Sequence, residues 1–281
     1  MLTTIRDRLS LCHGTMLSVP APQFVHAAAD AGFTRVSLRI RNPSAGLPGR
    51  IMGELSLEGD TPFLRETERT MRERGVRLAE AEAAVVTPES DLAELLPYME
   101  SAAILGAMGV IPVFVGQESE AQIVDQLGRF AAQAEGFGLK ALVEFIALFA
   151  VSSIGMAERV IRATGADNCR IIVDSLHWTR SGGTVEDIRA VDPALIASCQ
   201  INDGWRAFPN EGRNWWEEMS LARHFLGDGD FALKDMIGAL PSGIPVGYEV
   251  LSEEFQQRGL TPPEMAKIAM ADIEAYFGET A

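Results

Sequence analysis

Four oxygen-bearing side chains sit where an apolar strand has no reason to hold them. Asp174 ends the run Arg170-Ile171-Ile172-Val173, and His177 follows it three residues later. Glu144 lies in Leu142-Val143-Glu144-Phe145, Gln200 in Ser198-Cys199-Gln200-Ile201, and Glu249 in Val246-Gly247-Tyr248-Glu249-Val250. A carboxylate buried without a partner is costly, so each calls for a cation, an Arg or several hydrogen-bond donors. Three carboxylates and an amide make a hard donor set. It suits Mn²⁺, Mg²⁺ or Co²⁺, and carboxylate-bound Zn²⁺ is also compatible with it. Plainer readings stand beside this one. Asp174 can cap the next loop, the two Glu can pair with Arg, Gln200 can bond backbone, and His177 can donate to a carbonyl.

The spacing says which elements would bring these groups together. Glu144 to Asp174 is 30 positions, Asp174 to Gln200 is 26, and Gln200 to Glu249 is 49. A strand plus its crossover helix takes about 30 residues, so the first two gaps are one unit each. The third is one unit lengthened by a Trp-rich insertion. Apolar strand-like runs alternate with helical patterns throughout: strands over 9–16, 33–40, 76–86, 110–115, 139–146, 170–174, 196–201 and 245–251, and helices over 22–31, 61–74, 90–105, 118–137, 152–163, 185–191, 215–225, 231–240 and 263–277. Eight strands predict an α/β fold, a (β/α)8 barrel forming one domain over residues 1–281. A doubly wound sheet is the rival, but no Gly-rich dinucleotide fingerprint follows the first strand. In a barrel, the residue where a strand ends points into the mouth. Four oxygen ligands from consecutive strands would then meet there.

Several features fall outside that scheme. The third strand is interrupted by Glu80 and Glu82, which is unusual; an ion pair with a neighbouring Arg would account for Glu82. Residues 42–61 lack periodicity and read as a lid, a binding loop or a misread element. Arg39, at the end of the second strand, is placed to grip a phosphate or carboxylate with two hydrogen bonds. His13 is a pocket residue or a packed one, and His26 packs on an Ala-rich helix. Trp205, Trp215 and Trp216 read as lid packing or subunit contact before a sugar-stacking platform.

Composition narrows the class. Apolar residues make up 47% and charged ones 22%, as in a globular protein with a large core. No apolar run reaches the roughly 18 residues of a membrane span. Charges near the N-terminus replace the apolar stretch of a secretory signal. Cys12, Cys169 and Cys199 are an odd number without paired spacing, which suits a reduced cytoplasmic protein with cysteines as small core residues. A net charge of −15 argues against a nucleic-acid partner.

Taken in order, these residues resemble the xylose-isomerase-like barrel superfamily of sugar-phosphate isomerases and epimerases, over nearly the whole chain. In that family a Glu ends strand five, an Asp with a His three later ends strand six, a His or Gln lies on strand seven and a Glu ends strand eight. The resemblance implies one divalent ion held by Glu144, Asp174, Gln200 and Glu249. It implies proton transfer by Glu144 and Glu249 through an enediolate whose oxygen Arg223 or His177 would hold as its charge develops, both also touching substrate, with Arg39 as the further substrate contact that its own placement suggests. Gln200 stands where most epimerases carry His; hydroxypyruvate isomerases and 3-dehydroshikimate dehydratases carry Gln there. The family's Arg with a Pro-Gly-x-Gly turn appears as Arg223-His224-Phe225-Leu226-Gly227-Asp228-Gly229, with Leu226 in place of Pro. The expected substrate is a small sugar, sugar phosphate or hydroxy-keto acid, and relatives suggest a homodimer or homotetramer. A dehydratase on the same scaffold is the alternative. A binding protein on a decayed barrel is a further reading, which the four retained oxygen donors oppose. An endonuclease IV-like activity would need many His ligands, and the chain has four His in all.

Overall fold

The computed structural model describes residues 5–41, 56–116, 118–208 and 212–278. Eight parallel strands close into a barrel in chain order: β1 (Leu9–Cys12), β2 (Arg35–Arg39), β3 (Arg77–Val85), β4 (Gly109–Val113), β5 (Lys140–Glu144), β6 (Cys169–Asp174), β7 (Ile196–Ile201) and β8 (Val246–Tyr248). β8 pairs in parallel with β1, which excludes the open doubly wound sheet. A single TIM barrel therefore covers nearly the whole chain.

The alternation of runs dictates this arrangement. β6 and β7 are buried along almost their whole length because helices cover one face and the barrel interior covers the other. Each crossover helix carries its own start and stop. The helix Pro62–Arg74 begins at Thr61, whose hydroxyl accepts from Leu64 N at 3.1 Å, and Pro occupies its first turn. It ends at Gly75, held at φ 66°, where a side chain would be strained. Ser119 and Gln122 form a reciprocal cap at the start of Glu120–Gly136. Among the described residues, no helix is long and apolar enough to cross a membrane.

Four expected elements differ, each for a local reason. The first strand ends at Cys12, and His13–Met16 form a 3-10 turn in which the His13 ring bonds the Val19 carbonyl at 2.8 Å. The 90–105 helix divides into a 3-10 turn, Leu92–Leu95, and a helix, Leu96–Ile104, with Pro97 in its first turn. The helix from Trp215 stops at Leu221 because the next backbone groups bond elsewhere: Arg223 N donates to Leu251 O, and His224 exchanges two bonds with Asp203. β8 stops at Tyr248. Glu249 N still reaches Ile201 O at 3.0 Å, but Val250 N turns to the Thr15 hydroxyl. Most of the 42–61 stretch lies outside the described residues.

One buried hydroxyl repairs the ladder between β3 and β4, whose register shifts between Ala81 and Ala84. Tyr98 donates to Ala81 O at 2.6 Å and accepts from Ile111 N at 3.1 Å, with no exposure to solvent. Tyr98→Phe leaves both backbone groups buried without a partner. It should lower unfolding stability by about 1–3 kcal/mol in urea titrations.

Candidate active site and metal centre

The barrel stagger brings the strand ends of β5 to β8 to one mouth. Glu144 is the last residue of β5 and Asp174 the last of β6. Gln200 pairs in register with Asp174 on one side and Gly247 on the other. Glu249 follows β8 directly. Carboxylate oxygens of Glu144, Asp174 and Glu249 all lie within 4.8 Å of one another. Gln200 lines the same cavity as Glu144, Glu249 and His177, and its Oε1 is buried without a hydrogen-bond partner.

Asp174 does two jobs. Its Oδ1 caps the short helix Ser175–Arg180, accepting from Leu176 N at 2.8 Å and His177 N at 3.1 Å. The capping reading of the sequence therefore holds. Its Oδ2 accepts from Asn202 Nδ2 at 3.0 Å and from Arg223 Nη1 at 2.8 Å. The same Arg223 nitrogen bonds Glu249 Oε2 at 2.8 Å. Arg39, which the sequence offered as an anion grip, pairs with Glu82 at 3.4 Å, so that expected ion pair is also present.

Burial and charge set the proton affinities here. Burial pushes Glu249 up to about 8, against the opposing Arg223, with Glu82 and Asp174 adding to the rise. Burial raises Glu144 as well, reinforced by Glu249 and Asp174. His177 moves the other way, to about 4, because burial disfavours the imidazolium; its Nε2 lies 3.7 Å from Glu144 Oε1. It is neutral at pH 7. Burial offset by Asp174, Glu249 and Glu144 leaves Arg223 above its ordinary value and charged. Five carboxyls (Glu80, Glu82, Glu144, Asp174 and Glu249) thus face two guanidinium groups in one interior. An all-oxygen donor set with excess negative charge and an orphaned amide oxygen fits a divalent cation.

The loop that carries Arg223 is pinned from below. Asp203 accepts from Gly204 N, Phe231 N and Gly227 N, at 2.8, 3.0 and 2.8 Å. Leu226, standing in place of the family's Pro, donates its N–H to Asp272 at 3.0 Å. The same Asp272 oxygen accepts from the Tyr248 hydroxyl at 2.7 Å. A Pro has no N–H to give, so Leu226 and Asp272 form a substitute anchor.

Other expectations separate. His13 is fully buried, stacks on Phe24 at 4.8 Å and bonds backbone, so it is a packed residue. Trp216 lines the cavity with Phe149, 6.2 Å away between ring centres, while Trp205 is exposed and is not part of the lining. The cysteines are free and buried. Sequence reasoning noticed Glu80 without giving it a task. The only signal was a carboxylate inside an apolar strand. Asn202 and Asp272 gave no signal, because their partners are far away in the chain.

The match to known proteins agrees with this fold. The family model described as xylose isomerase-like TIM barrel matches residues 25–274. An inosose isomerase from Bacillus subtilis (strain 168) is 26% identical over 121 residues, 40% of this chain and 44% of that protein, so less than half of the relative is spanned. The crystal structure of an IOLI protein with a bound zinc atom superposes with a TM-score of 0.77 at 18% identity, covering 97% of this chain and all of that one. A D-allulose 3-epimerase from Methylomonas sp. gives 0.68 at 15% identity, covering 97% and 98%. With eight strands closed in order and a family match over nearly its whole length, this chain belongs to the xylose isomerase-like TIM barrel family.

Proposed function

We propose that this protein is a divalent-metal-dependent isomerase or epimerase of a small sugar or related hydroxy-ketone, acting by proton removal next to a carbonyl. The observation that carries the reading is the convergence of Glu144, Asp174 and Glu249 within 4.8 Å, with Gln200, whose Oε1 is partnerless, lining the same cavity. The inosose isomerase relative supports a carbohydrate-like substrate.

Glu144, Asp174, Gln200 and Glu249 would hold the ion. When bound, such an ion polarises a ketone and its neighbouring hydroxyl and so acidifies the intervening C–H. Glu249 and Glu144 are the proton-transferring pair, one removing the proton and the other returning one to the opposite face. Glu249, held at about 8 by burial, is a stronger base than an exposed carboxylate and closer to neutral pH. His177, neutral at pH 7, donates a ring N–H to a substrate oxygen without adding charge. Arg223 steadies the oxygen on which negative charge develops. Ile111, Val113, Ile146, Phe149 and Trp216 form an apolar wall suited to the C–H face of a ring. Arg39, the anion grip that the sequence offered, is already paired with Glu82, which favours an unphosphorylated substrate over a sugar phosphate. A dehydratase is the second reading, favoured by Gln200 in place of His; it would expel water after the same proton removal.

Two measurements check this. A panel of keto-sugars, their phosphates and cyclic keto-acids is incubated with Mn²⁺-loaded protein in deuterated buffer. Deuterium should enter the carbon next to the carbonyl in product, and Glu249→Gln should slow this by about 100-fold or more. New double-bond absorbance with a keto-acid assigns the dehydratase instead, and a metal-loaded protein that turns over none of the panel overturns both readings. The second measurement is proton-linked metal binding. A carboxyl with a raised pKa keeps its proton at low pH, and a cation must displace it. Mn²⁺ affinity, by calorimetry in buffers of different ionisation heat, should therefore rise with pH through about 8, where Glu249 sheds its proton. Asp174→Ala should abolish the binding.

A further inference from the structure

We infer that Glu80 is a positioning residue that fixes which end of the Gln200 amide faces the metal site. The inference rests on the metal reading of that site. A glutamine offers an oxygen and an NH₂ group of nearly the same shape, and only the oxygen can ligate a cation. A half-turn of the amide would aim two N–H donors at the ion, so something must fix the turn.

Glu80 is placed to do so. It lies on β3, is 2% exposed, and reaches across the barrel interior to β7. Its Oε2 accepts from Gln200 Nε2 at 3.1 Å and from the Ser37 hydroxyl at 2.8 Å. Its Oε1 accepts from the Ser198 hydroxyl. Ser37 is its register partner on β2, and Ser198 lies two residues before Gln200 on β7. The two hydroxyls anchor the carboxylate from two other strands. An ionised carboxylate can only accept, so the NH₂ of Gln200 must turn toward Glu80 and Oε1 must turn away. That oxygen is the one buried without a partner. Partners behind a metal ligand commonly set affinity by about 10- to 100-fold.

The test is a double-mutant cycle on the full chain with Co²⁺ and Mn²⁺ as probes. Calorimetry reads affinity, and the visible Co²⁺ spectrum reads the ligand set. Glu80→Leu should weaken binding about tenfold or more and shift the Co²⁺ bands toward those of Gln200→Ala. Added to Gln200→Ala, it should cost nothing further, because no amide is left to orient. Wild-type affinity in Glu80→Leu, or an equal loss in both backgrounds, overturns the inference; the second result would mark a purely structural carboxylate. If Glu80→Leu does not fold, as judged by circular dichroism, the near-isosteric Glu80→Gln carries the same cycle. Its own NH₂ can face Gln200 and permit the flip, so a smaller loss confined to the Gln200 background is expected, and no loss overturns the inference. A wild-type protein that binds neither ion overturns the metal reading itself, a result distinct from tight binding that ignores Glu80.

Discussion

Mutual repulsion among buried carboxylates is the constraint on which this molecule is built. Two unit charges 4.8 Å apart repel by about 3 kcal/mol at an effective dielectric constant of 20. Glu144, Asp174 and Glu249 make three such pairs, a sum comparable with the whole stability of an ordinary domain of about 5–15 kcal/mol. Compensation must be local. Arg223 bridges Asp174 and Glu249 with one nitrogen, Arg39 faces Glu82, and a helix start and Asn202 share Asp174. These contacts lower the charge without cancelling it. Burial first, and the repulsion that is left over second, raise the proton affinities of Glu144 and Glu249, and a divalent ion is the partner that would offset both.

Holding Arg223 in that position accounts for much of the loop after β7. Its backbone N–H bonds Leu251 and its Nε bonds Met219, so both the chain and the guanidinium are fixed. Asp203 gathers three backbone donors from the following turn, and Asp272 gathers one more from Leu226. Burial pushes Asp272 up to about 6, a modest cost that its two donors offset. The chemistry at the mouth therefore leans on a last helix, Pro262–Phe277, whose residues never reach the cavity.

What could be read from the sequence followed physical range. A strand buried on both faces declares itself in consecutive residues, so β5, β6 and β7 and the groups at their ends were legible. A helix announces its caps within four residues, as at Thr61 and Gly75. Competition among distant partners was not legible. The truncated helix after Trp215, the early end of β8 and the 3-10 turn after Cys12 all come from backbone groups choosing partners elsewhere in the fold. Arg39 lines the cavity, but its ion pair with Glu82 changes what it is free to grip. Glu80 shows the limit most sharply. Its odd place in an apolar strand was visible, while its partners lie 43, 118 and 120 positions away.

The glutamine on β7 then has a consistent physical reading. A histidine ligand presents one ring nitrogen to the metal and gives the other N–H to an acceptor, which fixes its orientation and strengthens it as a donor. Gln200 reproduces that division of labour: a neutral group with one oxygen free and one N–H held by a buried carboxylate. Exchanging an imidazole for an amide leaves the charge of the ligand set unchanged, so the electrostatic balance around Asp174 and Glu249 survives the exchange. What changes is the donor atom, from nitrogen to oxygen. In the proposed centre that would move the set toward harder cations, and it would make the orientation of one amide a condition for the whole site.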